Sequence, residues 1–551
     1  MLRYLPITHW LSHYNITLFR QDFLAAIVVT LMLVPQSLSY ALLAGVPPYI
    51  GLYSSIAPLL LYALFGSSRT LSVGPIAITS LMTASIASSY ADPNSADYLT
   101  TVILLALLSG IILIIMSSLR LGFLANFLSN PVNIGFTTAS AIIIIFSQIK
   151  HLLGIQAQGD NLYDIIVSLY ADLQHINWIT FCLSLIGFSL LYSIKHFSRY
   201  ISNNTLSQSL RRFSPVIVIA LLSFFIWYWQ LFFQNTKIVG EIPSKFDFIH
   251  WNSISLEKLN ALLPGAFLIS LISFASSISI GKLLATKKHE QIKANQELFG
   301  LGIANIGVAL SGGMPVTGGF SRSVVNEEAG AQTQLASIFT AFGTLMTILW
   351  FSDFLYYMPL SILSVTIIIA VIPMIDYSAL KQAFRYDKLE GLVMLTTIIL
   401  TLIKGMEIGL ATGMLISLVA YIYRTIQPKI SQINQNDISY KQYDCCKEES
   451  VILKIEGNLY FANIDYIENK INTILNKDKK IVCFILDLSQ VNYLDLSCLK
   501  SLISINSQMN KINKKLYLIN INSQIYSHFR KVEYAYLINK KNTENKNHTG
   551  V

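Results

Sequence analysis

Charge is scarce in this chain: of 551 residues only 13% are Asp, Glu, Lys or Arg, against 53% hydrophobic ones. So little charge cannot keep a globule of this size in water, which excludes a soluble protein and leaves a membrane protein. Cysteine is scarce too. Cys182, Cys445, Cys446, Cys483 and Cys498 are the five present, mostly in the polar C-terminal part, and none stands at metal-ligand spacing with the histidines. That excludes a disulfide scaffold and a zinc module, and it suggests a reducing, cytoplasmic compartment. The opening MLRYLPITHWLSHYNITLFRQD has no apolar core followed by a small-residue cleavage site, so it does not read as a signal peptide and the first span is expected to be retained. Cys445–Cys446 and the histidines compose no catalytic constellation, and Asp487 and Asp495 have no evident acid–base partner. No enzyme, cofactor or metal site is indicated.

What the chain has in abundance is apolar runs near the ~20 residues that cross a bilayer. They recur from residue 22 to 428, as in DFLAAIVVTLMLVPQSLSYALLAG, YLTTVILLALLSGIILIIMSSL and EIGLATGMLISLVAYIYRTIQP. About fourteen crossing or half-crossing segments are expected. The net charge of +9 belongs to basic connections rather than to nucleic-acid binding: KHFSRYISNNTLSQSLRR, KLLATKKHEQIK and KQAFRYDK should face the cytoplasm. The alternate connections ADPNSAD and QNTKIVGEIPSKFDF, balanced or negative, should lie outside. That registration describes a multi-pass protein of the cell (inner) membrane with both termini cytoplasmic.

Beyond Pro428 charge returns. VILKIEGNLYFAN, KKIVCFILDLSQV and KKLYLININ read as short buried strands, with helix-like IDYIENKINTIL and LSCLKSLISINSQMNKINK between them. The alternation predicts a small α/β domain. The domain plan is thus a membrane domain over 1–430, a short linker near QPKISQINQND, a cytoplasmic α/β domain over 437–540, and a disordered tail over 541–551.

Two apolar segments are interrupted at comparable positions in the two halves: SRTLSVGPIAITSLMT by Gly74 and Pro75, and SGGMPVTGGFSRSVVNEEAG by Gly312, Gly313, Pro315, Gly318 and Gly319. Paired breaks of this kind point to a transporter site built from half-helices of two inverted repeats. A helix that begins at mid-membrane presents unpaired N–H groups and the positive end of its dipole, and an anion satisfies both. Arg322 falls in the first turn after the second break, where it adds a full positive charge. The alternative is an internal ion pair with Glu327 or Glu328.

Several motifs in fixed order resemble the sulfate permease (SulP) family of anion transporters and channels: VPQSLSYALLAGVPPYIGLYSS followed by GSSRTLSVGP, then NPVNIGFTTASAIII, ISIGKLLA, ANQELFGLGIANI and GGFSRSVVNEEAGAQTQLA. The C-terminal part resembles the family's STAS domain. The resemblance implies two inverted seven-segment repeats of the uracil-permease type, divided into a core and a gate domain that move against each other. It implies a homodimer in a lipid bilayer, and an anion held by the positions matching Gln36, Tyr40, Ile76, Ala77, Gly319, Phe320, Ser321 and Arg322. Gln36 is a lone amide in an apolar span and Tyr40, four residues on, shares its helix face. An interhelical hydrogen bond for Gln36 and a packing role for Tyr40 are the alternatives, while Ile76 and Ala77 offer only backbone N–H and shape.

Sulfate heads the expected substrates, with bicarbonate, chloride or a dicarboxylate as alternatives, and a receptor signalling through the STAS domain as a different class. A nucleobase permease shares the membrane fold but lacks the basic residue at the second break and the C-terminal domain. Where many proton-coupled relatives carry glutamate, this chain has Ser276, which cannot titrate; exchange or passive conduction is therefore expected. Ser497 matches a phosphorylated position of soluble STAS proteins, and a cytoplasmic protein partner goes with that; the alternative is a plain helix N-cap.

Overall fold

The computed structural model describes Ile7 and residues 14–93, 95–127, 129–157, 159, 161–200, 204–231, 236–243, 255–288, 291–433, 450–477, 481–522 and 525. The expectations placed on residues 541–551, on Cys445 and Cys446, and on both ends of QNTKIVGEIPSKFDF lie outside these. Contacts divide the chain into two compact units, Met1–Ser417 and Leu418–Val551.

In the first unit one order of elements occurs twice. It runs α1 (Ile16–Leu43), α2 (Tyr49–Phe65), β1 (Val73–Gly74), α3 (Ala77–Ser88), α4 (Ala96–Ser118), α5 (Asn130–Leu153), α6 (Leu162–Ala171), α7 (Trp178–Phe197) and α8 (Asn204–Trp229). It then returns as α9 (Leu256–Lys288), α10 (Ala294–Leu310), β2 (Thr317–Gly318), α11 (Phe320–Glu328), α12 (Leu335–Trp350), α13 (Leu360–Val371), α14 (Tyr377–Tyr386), α15 (Lys388–Lys404) and α16 (Met406–Ile426). In each half a two-residue strand precedes a short helix at the third position, and a short amphipathic helix sits at the sixth. Among the described residues, seven helices are long and apolar enough to cross a membrane.

The halves interlock. Helices α1–α4 pack with α9–α12, whereas α5–α8 pack with α13–α15. α16 lies on α15, where Gly409 and Gly413 leave room for Thr401 and Thr397. In the first group α4 and α10 cross so closely that a Cβ on Gly110 would meet the Gly302 carbonyl at 2.8 Å, and one on Gly302 the Gly110 carbonyl at 2.9 Å. Small residues are what permit such close crossings, because in lipid association rests on close packing rather than on apolar burial. The two groups meet where α1 touches α5, α8 and α13 and where α3 touches α5. On that face Ser39 of α1 makes only long contacts to α13, 3.4 Å to the Leu363 carbonyl and 3.5 Å to the Thr366 hydroxyl.

The second unit holds β3 (Lys429–Ile433), β4 (Ser450–Glu456), α17 (Ile464–Lys477), β5 (Cys483–Gln490), α18 (Leu496–Lys511) and β6 (Lys515–Ile519). The sheet order is β3-β4-β5-β6, with β3 antiparallel to β4 and the other pairs parallel. Val451, Leu453, Phe484, Leu486, Leu516 and Leu518 pack with the helices, while Ile452, Cys483, Ile485 and Ile519 build a cluster from the intervening positions. That is the period of two that a strand imposes. One correction concerns the stretch expected as a linker: it contains β3, whose Ile430 pairs with Ile455. Its polar alternation concealed an edge strand with no buried residue.

Candidate functional site

The two breaks in the apolar pattern come together in the core group. β1 and β2 pair antiparallel, Val73 with Gly318 and Gly74 with Thr317, so α3 and α11 start side by side. Neither start is capped by a side chain: Ile76 stands at the N-cap of α3 and Gly319 at that of α11, both extended, with no acid in either first turn. Two sets of helix N–H groups and two positive dipole ends therefore face the same place.

Arg322 lies between them. It is 2% exposed, and one terminal guanidinium nitrogen donates to the Pro75 carbonyl at 2.8 Å, tying α11 to the first break. The other terminal nitrogen, Nη2, and Nε have no partner. A Cβ on Gly74 or Gly319 would come within 3.0 or 2.9 Å of Nη2, so both glycines leave the guanidinium its room. The expected alternative, a pair with Glu327 or Glu328, is not what forms. Those residues lie at the C-terminal end of α11, and the Arg322 side chain reaches instead toward the helix start. Two buried N–H donors left bare cost roughly 1–3 kcal/mol each, more when the group is charged, so the pair calls for an acceptor from outside the chain.

The other expected residues are distributed around this point. Gln36 and Tyr40 lie part-exposed on α1, which packs on both α3 and α11. Among the described residues neither the Gln36 amide nor the Tyr40 hydroxyl has a hydrogen-bond partner, so the interhelical bond weighed for Gln36 does not occur. Ala77 is nearly buried, Ile76 half-buried, and Phe320 and Ser321 are exposed at the first two positions of α11. Ser276 is half-buried on α9 and makes no hydrogen bond with this group; its neighbours do. Ser277 Oγ shares a 2.8 Å bond with Thr317 and accepts from Gly318 N–H, and Thr317 donates to the Ser273 carbonyl.

Sequence reasoning missed the frame that holds the site. The segment before β1 belongs to the first repeat, yet the second repeat grips it. Glu297, fully buried on α10, accepts from Ser67 N–H and Oγ, from Ser68 N–H and from the Tyr62 hydroxyl. Gln334 donates to the Ser68 and Leu71 carbonyls, Asn326 to that of Thr70, and Ser323 Oγ accepts from Ser72 N–H. Asp22, equally buried at the start of α1, accepts from Gln332 N–H, Thr333 N–H and the Thr333 hydroxyl ahead of α12. The signal was a lone acid in an apolar helix, which at membrane depth marks a specific partner.

In the second unit Asp495 is the N-cap of α18. Its carboxylate accepts from Cys498 N–H at 2.6 Å and from Phe461 N–H at 2.8 Å. The capping role weighed for Ser497 is thereby corrected: Ser497 is the second helical residue and is exposed.

Half-helices meeting across a short sheet, in a chain whose element order repeats, define an inverted-repeat membrane carrier. The chain belongs to the sulfate permease family: that family's sequence model matches residues 19–397, and a STAS domain matches 438–547. It is 34% identical over 542 residues to the chloroplastic sulfate transporter 4.1 of Arabidopsis thaliana, covering 95% of this chain and 78% of that one. A probable sulfate transporter of Mycobacterium tuberculosis is 28% identical over 89% of this chain and 87% of its own. In structure it resembles the murine Solute Carrier 26 member A9 anion transporter in its inward-facing state, with TM-score 0.87 and 23% identity over 96% and 90% of the two chains. The transmembrane domain of the cyanobacterial bicarbonate transporter BicA matches with TM-score 0.64 and 18% identity over 74% of this chain and 98% of that one.

Proposed function

We propose that this protein transports small inorganic anions, sulfate first among them, by movement of the α1–α4/α9–α12 core against the α5–α8/α13–α16 gate. The observation that carries the reading is the free Nε/Nη2 edge of Arg322, buried between two uncapped half-helix starts. That edge offers two parallel donors to two oxygens of one oxyanion, the geometry in which arginine binds most strongly. Gln36, Tyr40 and Ser321 supply further neutral donors, Ile76, Ala77, Gly319 and Phe320 supply backbone and shape, and the long contacts of Ser39 suit a face that slides. Relatives sharing 27–34% identity that are named sulfate transporters support sulfate as the substrate.

The finer parts of the reading belong to the same proposal: a homodimer in the cell membrane, both termini cytoplasmic, a membrane domain over 1–430, a STAS domain over 437–540 that docks a cytoplasmic partner, and exchange or conduction without a coupling cation at Ser276. The deciding experiment is flux in proteoliposomes with sulfate, bicarbonate, chloride and a dicarboxylate offered in turn. Saturable sulfate uptake that the other anions compete with supports the reading. Uptake of none of the four, with ligand-dependent changes confined to the STAS domain, would establish a receptor instead.

A further inference from the structure

The sixth helix of each repeat is a short one lying between longer ones, α6 in the first and α14 in the second. α14 has no buried residue. Its ten residues, YSALKQAFRY, sort cleanly by angle at about 100° per residue. Ser378, Lys381, Gln382 and Arg385 fall within one arc of about 100°, and Tyr377, Ala379, Leu380, Ala383, Phe384 and Tyr386 fill the opposite half. On the apolar side Phe384 packs over Gly391 of α15, where an added Cβ would lie 2.5 Å from the ring. Lys381 and Arg385 stand one turn apart on the polar side, both exposed, and neither has an ion-pair partner among the described residues. Lys388, also exposed, opens α15 just beyond the end of α14.

α6 has the same place and length and the opposite character. LYDIIVSLYA has no Lys, Arg or His, and its first turn holds Asp164. Ile165 and Leu169 are buried, while Tyr163, Ile166, Val167 and Tyr170 occupy the arc that α14 gives to its basic residues, all of them 44% exposed or more. An inverted repeat puts equivalent elements on opposite faces of the bilayer. One interfacial helix thus turns a cationic arc outward and its counterpart an apolar and aromatic one.

We propose that α14 is a docking surface for anionic phospholipid headgroups, which Lys381 and Arg385 engage while Tyr377, Leu380 and Tyr386 reach the acyl boundary. Charge complementarity commits the surface to that occupant: exposed basic residues on a helix whose other half is wholly apolar bind where negative headgroups overlie hydrocarbon. Interfacial aromatics at both ends, Tyr377 and Tyr386, are 71% and 86% exposed, as residues at headgroup depth are. Because α14 joins α13 to α15, the bound lipid fixes the gate in the bilayer.

The test is lipid retention by the full chain. The protein, reconstituted in equal phosphatidylcholine and phosphatidylglycerol, is extracted in mild detergent and its bound lipids are counted by mass spectrometry. Phosphatidylglycerol is expected to exceed phosphatidylcholine about threefold, to fall to about parity in the Lys381→Gln/Arg385→Gln variant, and to stay enriched in Lys381→Arg. An unchanged ratio in the double variant would overturn the proposal. A photocrosslinking amino acid at Gln382 gives an independent reading: capture of phosphatidylglycerol supports it, and capture of a protein segment or of neither lipid refutes it. Sulfate flux is not the readout, so this outcome and that of the transport assay are separable.

Discussion

Arg322 was legible as a functional residue because a full charge beside a Gly/Pro break in an apolar run has few structural uses. Its partner was not legible, since the Pro75 carbonyl is a backbone atom 247 residues away. The same holds for the buried acids. Glu297 and Asp22 stand out in apolar helices, but the donors that neutralise them are N–H groups 230 and 310 residues away, which no local pattern reveals. With one Arg322 nitrogen committed to Pro75, its substitutions loosen the tie between the two breaks as well as the anion site. Arg322→Ala removes both free donors and should weaken sulfate binding by about 100-fold, because two charge-assisted hydrogen bonds are worth about 3 kcal/mol or more. Arg322→Lys restores charge without the fork and should recover only part of the loss. Binding by calorimetry in detergent checks both, and wild-type affinity in the alanine variant would remove Arg322 from the site.

Elements were legible where periodicity and breaks coincided, as in the paired half-helices and the alternating strands of the second unit; β3 escaped because an exposed edge strand carries no apolar period. At this scale α11 is held to the segment before β1 by Asn326 and Ser323, and Gln334 at the start of α12 grips the same segment, so the two half-helices should move as one body. Asn326→Ala strips the Thr70 carbonyl of its donor in a buried place, at a cost of about 1–3 kcal/mol. A lower melting temperature together with weaker sulfate binding is the expected result, whereas full affinity in a destabilised protein would mean that the site does not depend on this stitch. In the second unit, burial and then the neighbouring Asp495 push the Cys498 thiol up to about 12. A raised thiol pKa leaves the reactive thiolate a very small minority at neutral pH, growing only as pH approaches that value. Alkylation at pH 8 should therefore spare Cys498 in the folded chain and modify it after denaturation, as peptide mass spectrometry would record.

For the whole molecule the open matter is what drives the anion. The buried carboxylates of the core are already occupied: Glu297 by three hydroxyl or N–H donors of Ser67 and Ser68 and by the Tyr62 hydroxyl, Asp22 by the backbone and hydroxyl ahead of α12. Those bonds commit both carboxylates to fastening one repeat onto the other. Ser276, matched by the resemblance to the glutamate of many proton-coupled members, is half-buried between Ser273 and Ser277, the residues that fasten β2, so a carboxylate at that place would sit against the second break. The native serine cannot take up a proton in the physiological range. Uptake into proteoliposomes under an imposed proton or sodium gradient, with no counter-anion inside, should thus give little accumulation, and preloading with sulfate should accelerate entry of the labelled ion. Ser276→Glu should add a pH dependence in which uptake rises as the new carboxyl becomes protonated, its pKa lifted by burial. Strong concentrative uptake by the unmodified protein would place the coupling on some other group and end the argument from Ser276.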